Sequence, residues 1–312
     1  MEVSAKSKLP KLIAIVGPTA SGKTDLAVAL AKKFRGEVIS ADSRQFYRGT
    51  DIGSDIIPGK WVKRGSRKVY LARGVPHHLI AFRSPAQPVT VAEFQALARR
   101  RAREIIGRGR VPILAGGSGL YLRVVTDDFV IPRVPPQPRF RRRMDAISTA
   151  ALYRRLVRLD PDYAGRISAG NRRYMIRALE VIGATGQPFS AQQATGQPVF
   201  DVLKLGVKRP RPQIYRRVEA RVDEMIRRGL VKEADRLGRR HGRQLPALTA
   251  LGHRQLGAYL RGQIPLEEAV RQIKRDTRRF AKRQLTWFRR DKDIRWVKNA
   301  SAAEKIAADF LG

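Results

Sequence analysis

Residues 17–24 read GPTASGKT, the full G-x-x-x-x-G-K-[ST] pattern, set between an apolar, β-rich run from Lys11 to Val16 (KLIAIV) and a stretch with apolar residues at Leu26, Val28 and Leu30. A strand, a glycine-rich turn and a helix start, in that order, specify a phosphate-binding loop. No other feature constrains the fold as tightly, because such a loop needs a strand behind it and a helix in front. Within Gly17, Pro18, Thr19, Ala20, Ser21 and Gly22 the two glycines let the backbone curl and turn amide N–H groups toward an anion. Lys23 then supplies a point charge to the terminal phosphate, and Thr24 a hydroxyl for Mg2+. A fortuitous glycine-rich turn is the competing reading, and the flanking strand and helix patterns argue against it.

The remaining chain alternates strand and helix patterns. Further strands fit Glu37 to Ser40 and Val111 to Ala115, with an arginine-studded helix from about Val91 to Gly107 between them. This alternation predicts an α/β fold with a parallel, P-loop NTPase-like sheet. The proline-rich stretch Ile131 to Pro138 (IPRVPPQP) interrupts the pattern, and only helical periodicity follows as far as about Ala194. We therefore expect a first part of the core over 1–130, an inserted all-helical domain over 131–197, and the rest of the core, with basic helices, over 198–312. In that last part, helices fit Pro212 to Arg228, Val231 to Arg239 and Pro265 to about Arg290, with strands at Val199 to Val207 and Ile294 to Val297.

A phosphate loop does not say which phosphate compound is bound or what is done with it. An ATPase or GTPase usually carries a second apolar strand ending in Asp for magnesium, whereas the candidate here, VPILAGGSGLY, ends in glycines. Charge adds a second constraint. Lysine and arginine number 64 against 27 acidic residues, a net +37, which exceeds what solubility requires and points to a polyanion. An organism-wide bias toward arginine is the alternative. Clustering favours nucleic acid, since nine of the twenty residues from Arg271 to Arg290 are basic and one is acidic. The chain has no cysteine, so thiolate chemistry and disulfides are excluded. No apolar run reaches the ~20 residues of a membrane span, and MEVSAKSKLPK contains no signal-peptide stretch, so no membrane association and a cytoplasmic location are expected.

Just beyond the second strand, VISADSRQFY places Asp42 where ligands bind in open α/β sheets. It is a candidate general base; the alternatives are a contact to magnesium-bound water or a cap on the next helix. His77 and His78 lack neighbouring carboxylates in the sequence and read as loop packing or hydrogen bonding rather than metal ligands.

The segments GPTASGKT, ISADSRQFY, DIGS (51–54), PHHL (76–79), GGSGLYL (116–122), RALEV (177–181), TALGHRQL (249–256) and AKRQLTWFRR (281–290) occur in the order found in tRNA dimethylallyltransferases. The chain resembles that family from about Lys11 to Trp296. The resemblance implies transfer of a dimethylallyl group from dimethylallyl diphosphate, with Mg2+, to N6 of the adenosine 3′-adjacent to the anticodon in tRNAs reading codons that begin with U. It further implies that residues from Thr19 to Thr24 hold the diphosphate, that Asp42 takes the N6 proton, and that Lys23 and Thr24 serve the leaving group. Arg217 and Arg221 match family arginines that either reach toward the diphosphate or pair locally with Glu219 or Asp223.

The resemblance also marks segments that contact the tRNA anticodon stem-loop. They are Asp42, Ser43, Arg44 and Gln45; Ser118; Arg141; and Arg173, Tyr174, Met175, Ile176 and Arg177. Nearer the carboxyl terminus come Thr249, Ala250, Leu251, Gly252, His253 and Arg254, then Lys282, Arg283, Gln284, Leu285, Thr286, Trp287, Phe288 and Arg289. Gln45 suits an adenine edge, and Trp287 and Phe288 suit base stacking between cations. Against that, Val270, Ile273, Phe280, Ala281, Leu285 and Phe288 recur at helical spacing, which reads as a core-facing stripe. His253 has a helix-start packing role as its alternative.

The sequence departs from the family where Ala81 stands in place of an expected Asp, where Ser118 replaces Thr, and in a long basic segment, Lys60 to Arg73. The rival readings are a kinase or prenyltransferase acting on a free nucleotide, and a non-catalytic RNA-binding protein. A monomer is expected.

Overall fold

The structure is a computed structural model that describes residues 9–65, 67–127, 130–132, 134–192, 196–242 and 250–312. Thr249 lies outside them. The chain divides into two compact units, residues 1–126 with 199–312, and residues 127–198.

The first unit is built on one eight-stranded sheet. Its strands are β1 (Lys11–Val16), β2 (Glu37–Ser40), β3 (Lys60–Arg64), β4 (Arg67–Ala72), β5 (Val75–His78), β6 (Pro112–Gly116), β7 (Asp201–Val207) and β8 (Arg295–Val297), in the spatial order β3-β4-β5-β2-β6-β1-β7-β8. From β5 to β8 all pairings are parallel. Leu12 to Val16 are buried without alternation, as expected of a central strand covered on both faces. Helix α1 (Lys23–Lys33) buries Leu26, Ala27, Val28, Leu30 and Ala31 against Ile13, Ile15, Val38 and Leu205. Helix α2 (Val91–Ile106) starts at Thr90, whose hydroxyl accepts the Glu93 N–H at 3.1 Å, an N-cap that satisfies one orphan donor. Helix α3 (Gly119–Thr126) follows β6.

Strands β3 and β4 form an antiparallel hairpin that extends the sheet beyond β5, with Trp61 opposite Tyr70. The long basic segment noted in the sequence, Lys60 to Arg73, thus forms the two outermost strands of the sheet, and the lysines of β3 suit an edge that must resist pairing with other chains.

In the second unit, α4 (Pro138–Asp145), α5 (Thr149–Leu159), α6 (Pro161–Arg166) and α7 (Arg172–Thr185) pack around Leu152, Leu156, Met175, Leu179 and Phe189. Helix α7 stops at Gly186, which takes the left-handed conformation of a helix C-terminus. Back in the first unit, α8 (Arg211–Arg227), α9 (Leu230–His241), α10 (His253–Tyr259) and α11 (Leu266–Phe288) share a core of Val222, Leu230, Leu256 and Ile273, and α12 (Ala300–Leu311) closes the chain. Among the described residues, no helix is long and apolar enough to cross a membrane.

Candidate active site

The carboxyl ends of β1, β2, β6 and β7 meet at one edge of the sheet, with Val16 in register with both Gly116 and Gly206. The phosphate loop leaves β1 there. Its curl is visible in the backbone: Gly17 at φ 147, Ala20 at φ 62 and Gly22 at φ 101, the last being the N-cap of α1. Ala20 bears a steric cost for that conformation, a strain typical of ligand-binding loops. Ser21 is fully buried and its hydroxyl has no partner.

Three arginines converge on this loop from β7–α8. Arg209 Nε donates to Ser21 O at 3.0 Å, Arg217 Nε to Ala20 O at 2.9 Å, and Arg221 Nη1 to Thr19 Oγ1 at 3.1 Å. The sequence left Arg217 and Arg221 between the loop and local ion pairs. Both reach the loop, while Glu219 pairs with Arg278 and Asp223 with Lys274. Lys23 folds back, its ammonium donating to Pro18 O at 2.6 Å. Burial, and then Arg221, push that ammonium down to about 8, against the opposing pull of Asp42 and Asp55. A cluster this rich in donors and cations is built for a multiply charged anion.

Asp42 leaves the carboxyl end of β2 beside this cradle. Its carboxylate accepts the Arg44 N–H at 3.0 Å, and Phe46, four residues on and fully buried, anchors the turn among Phe82, Phe94 and Tyr121. Gln45 does not present a free amide. Its oxygen accepts the Ser40 hydroxyl at 2.8 Å, and its nitrogen donates to Ser54 O and Asp55 O, both at 3.3 Å. Ala81, where a family Asp was expected, carries φ 45, and its N–H donates to Gln45 O at 2.8 Å. The position therefore ties this turn down through its backbone.

Sequence reasoning missed Arg209, Asp55 and Glu233. Asp55, at φ 48, sets its carboxylate 2.8 Å from Arg221 Nη1, and burial raises the carboxyl above its usual range although Arg221 opposes that. Glu233 accepts from Ile52 N at 2.8 Å, Gly53 N at 2.9 Å and the His253 ring at 3.1 Å. Arg209 alone had a readable signal, its place just past a strand beside the loop strand.

Several residues assigned to RNA contact turn inward. His253 is 2% exposed against Glu233, and Ala250, Met175, Ile176 and Phe288 are buried. Gln284, 6% exposed, accepts the Thr19 N–H at 2.8 Å and donates to Gly117 O at 2.7 Å. Leu285 packs partly buried against Ala20, Ile214 and Val218. A contiguous block of a helix was assigned, whereas a helix exposes only some of its faces. Arg141 and Arg177 both pair at 2.7 Å with Glu180, whose side chain is fully buried. Burial alone would raise that carboxyl, but hydrogen bonds from Arg141, the Gln137 N–H and Arg177 hold it down at about 2.

The outward-facing set is Arg173, Tyr174, Arg254, Lys282, Arg283, Thr286, Trp287 and Arg289. Lys282, Arg283, Thr286 and Trp287 join Arg279 and Arg290 around a recess of about 390 Å³ on the outer face of α11. Trp287 lies against Gly119, where a Cβ would overlap the indole. Ser43, Ser118 and Leu251 are half-buried. A roomier cavity, about 740 Å³, is lined by His78 of β5, Arg101 of α2, Arg108 just beyond α2 and Glu37 of β2. None of its lining residues belongs to the phosphate loop, and Glu37 is already paired to His78 at 2.6 Å and Arg108 at 2.8 Å.

Comparison with known proteins gives one consistent answer. The family model described as IPP transferase matches residues 45–291. A tRNA dimethylallyltransferase of Moorella thermoacetica is 44% identical, over 99% of this chain and 97% of that relative. The crystal structure of a full-length tRNA isopentenylpyrophosphate transferase from Bacillus halodurans superimposes with a TM-score of 0.68 at 38% identity, over 96% of this chain and 95% of that one. A eukaryotic dimethylallyltransferase acting on tRNA shares the fold, with a TM-score of 0.79 at 24% identity, over 97% of this chain and 79% of that one.

Proposed function

This chain belongs to the IPP transferase family, and from that premise we propose how its residues carry out the prenylation of tRNA. The donor is dimethylallyl diphosphate and the acceptor is N6 of the adenosine 3′-adjacent to the anticodon, in tRNAs reading codons that begin with U. The observation that carries this reading is the meeting of a diphosphate cradle, with Arg217 and Arg221 on its loop, and the Asp42 carboxylate at one end of the sheet.

In the reaction the donor's allylic C–O bond breaks, the N6–C bond forms, the N6 proton passes to Asp42, and diphosphate leaves. The exocyclic amine is a poor nucleophile, so a placed carboxylate contributes roughly 10²- to 10⁴-fold. Charge grows on the leaving diphosphate, and Lys23, Arg221 and the loop amides stabilise it. The unpartnered Ser21 hydroxyl, buried within the loop, is a further donor suited to a phosphate oxygen.

Magnesium fits the donor set. Among the described residues no cluster of His, Asp and Glu is able to hold a metal by itself. Mg2+ characteristically takes few protein ligands and keeps several waters, so the Thr24 hydroxyl would hold it together with the donor's own oxygens. When bound, it would neutralise charge on the departing diphosphate.

The exposed cations of α11, with Arg254, supply contacts to the anticodon stem-loop, Arg173 in the helical unit supplies a contact of its own, and the inward-facing residues of the same segments hold the frame beneath them. A free-nucleotide substrate leaves this basic surface without a use. The enzyme acts as a cytoplasmic monomer.

The test is transfer of label from dimethylallyl diphosphate to unmodified tRNA carrying an A-A-A run at and beyond its third anticodon base, with AMP as competing acceptor. Labelled tRNA that disappears in Asp42→Ala, with folding retained by circular dichroism, is the expected result. Label on AMP alone would overturn it in favour of free-nucleotide prenylation.

A further inference from the structure

Asp55 is an anion placed inside an anion site. Its carboxylate oxygen lies 2.8 Å from the same Arg221 nitrogen that donates to the Thr19 hydroxyl at 3.1 Å. Lys23 and Asp42 lie near enough to interact electrostatically with Asp55. Arg228 also acts on Asp55, and Arg209 and Arg217 sit on the loop, so before any ligand arrives the site sets several cations against the two carboxylates Asp42 and Asp55.

The backbone commits Asp55 to this position. Glu233 holds the N–H groups of Ile52 and Gly53, while Gln45 holds the carbonyls of Ser54 and Asp55. Ile56 and Ile57 are buried directly after it, at 4% and 7% exposure. Between these anchors Asp55 is kept at φ 48, in the left-handed region that few side-chain-bearing residues adopt. A surround that over-determines a strained residue and aims a half-exposed carboxylate at a phosphate-site arginine calls for a functional explanation.

We propose that Asp55 is the resident counter-anion of the cradle: it balances Lys23 and Arg221 when diphosphate is absent, gives Arg221 up to diphosphate on binding, and thereby weakens diphosphate binding and speeds its release. The proposal rests on the reading of residues 17–24 as a diphosphate cradle. Its physical basis is competition for Arg221: the ion pair with Asp55 must be given up before that arginine can serve a ligand carrying several negative charges, at a partly solvated site. Asp55 is thus a charge-balancing residue that touches no reacting atom, in contrast to Asp42.

The experiment is calorimetric titration of inorganic pyrophosphate, with Mg2+, into the full-length wild type and the Asp55→Asn and Asp55→Ala variants, with folding checked by circular dichroism. Both variants should bind pyrophosphate roughly three- to tenfold more tightly than wild type, as expected for one removed, partly solvated charge. The gain should shrink with added salt. In an Arg221→Gln background the Asp55→Asn effect should largely disappear, because the carboxylate acts through that arginine. With tRNA present, Asp55→Asn should show a lowered donor KM and no matching gain in kcat. If both variants bind pyrophosphate more weakly, or Asp55→Ala weakens binding and Asp55→Asn restores it, Asp55 merely orients Arg221 and the proposal is overturned. Absence of pyrophosphate binding to the wild type would instead overturn the reading of the cradle, and the proposal with it.

Discussion

The side-chain oxygen of Gln284 accepts the backbone N–H of Thr19 at 2.8 Å, joining α11 to the phosphate loop across 265 residues of chain. The same amide donates to Gly117 O at 2.7 Å, so one buried side chain fixes the loop after β1 to the loop after β6. Gln284→Ala would leave a donor and an acceptor unpaired. A stability loss of about 1–3 kcal/mol for each group left dry is expected, read as a lower urea midpoint with unchanged slope. Pyrophosphate affinity should fall as well, and an unshifted midpoint would contradict this role.

Glu233 is a second such fastener. Its side chain is 3% exposed and receives two backbone N–H groups and the His253 ring. Glu233→Ala should therefore destabilise the protein by about 3–5 kcal/mol, the range for a broken buried charged network. Gly53→Ala should destabilise too, because a Cβ there would overlap the His253 ring. Thermal unfolding reads both, and wild-type midpoints would refute the clamp.

Acid should reach the helical unit through Glu180. Its carboxyl, held at about 2 against an ordinary 4.5, is depressed on folding, so its contribution is fully present above pH 4.5 and is lost as pH falls toward 2. The contribution is at most about 3 kcal/mol. Glu180→Gln should lower stability at neutral pH and flatten the acid limb of the stability profile between those limits. A variant whose acid limb matches that of the wild type would rule this out.

Lys23 gives the opposite signature in binding. With its ammonium at about 8, the donor-free enzyme loses that charge as pH rises through 8, and pyrophosphate affinity should decline with it, by no more than about tenfold per pH unit. For stability the sign is reversed: the unfolded chain keeps the proton up to about 10.5, so the cost this buried ammonium imposes on the donor-free protein below pH 8 is relieved as pH rises from 8 to 10.5. Lys23→Gln should bind pyrophosphate weakly with no change of affinity across pH 8, and a retained dependence would point to another group.

The outer face of α11 should dominate the salt dependence of tRNA binding. Replacing Lys282, Arg283 and Arg289 by Gln should weaken binding to any tRNA and reduce the slope of log affinity against log salt by about two to three, close to one for each phosphate no longer neutralised. An unchanged slope would move the RNA-binding surface elsewhere.

These assignments separate what local sequence encodes from what it cannot. The phosphate loop, α1 and the buried run of β1 were legible because each depends on spacing within a few residues: glycines where the backbone must turn, apolar residues at helical or strand period. Asp42 was legible for a similar reason, its place just past a strand end. The antiparallel hairpin β3–β4 was not read, since its basic composition carries no strong period and edge strands are specified partly by what they must avoid.

The arrangement around the loop was decided by tertiary structure alone. Arg217 and Arg221 face the loop on α8 while their helix neighbours Glu219 and Asp223 pair with α11, and nothing in YRRVEARVDEM says which face meets which partner. Phe288 lies inward as its helical stripe predicted, but Met175, Ile176, His253 and Gln284 belonged to segments marked for RNA, and packing turned them inward while leaving Lys282, Arg283 and Trp287 outside. Sequence determined the chemistry available, a phosphate-binding loop pattern, a carboxylate and a surplus of cations. Burial then decided which charges are paired in the frame and which remain exposed, because a side chain's partner depends on residues up to 265 positions away.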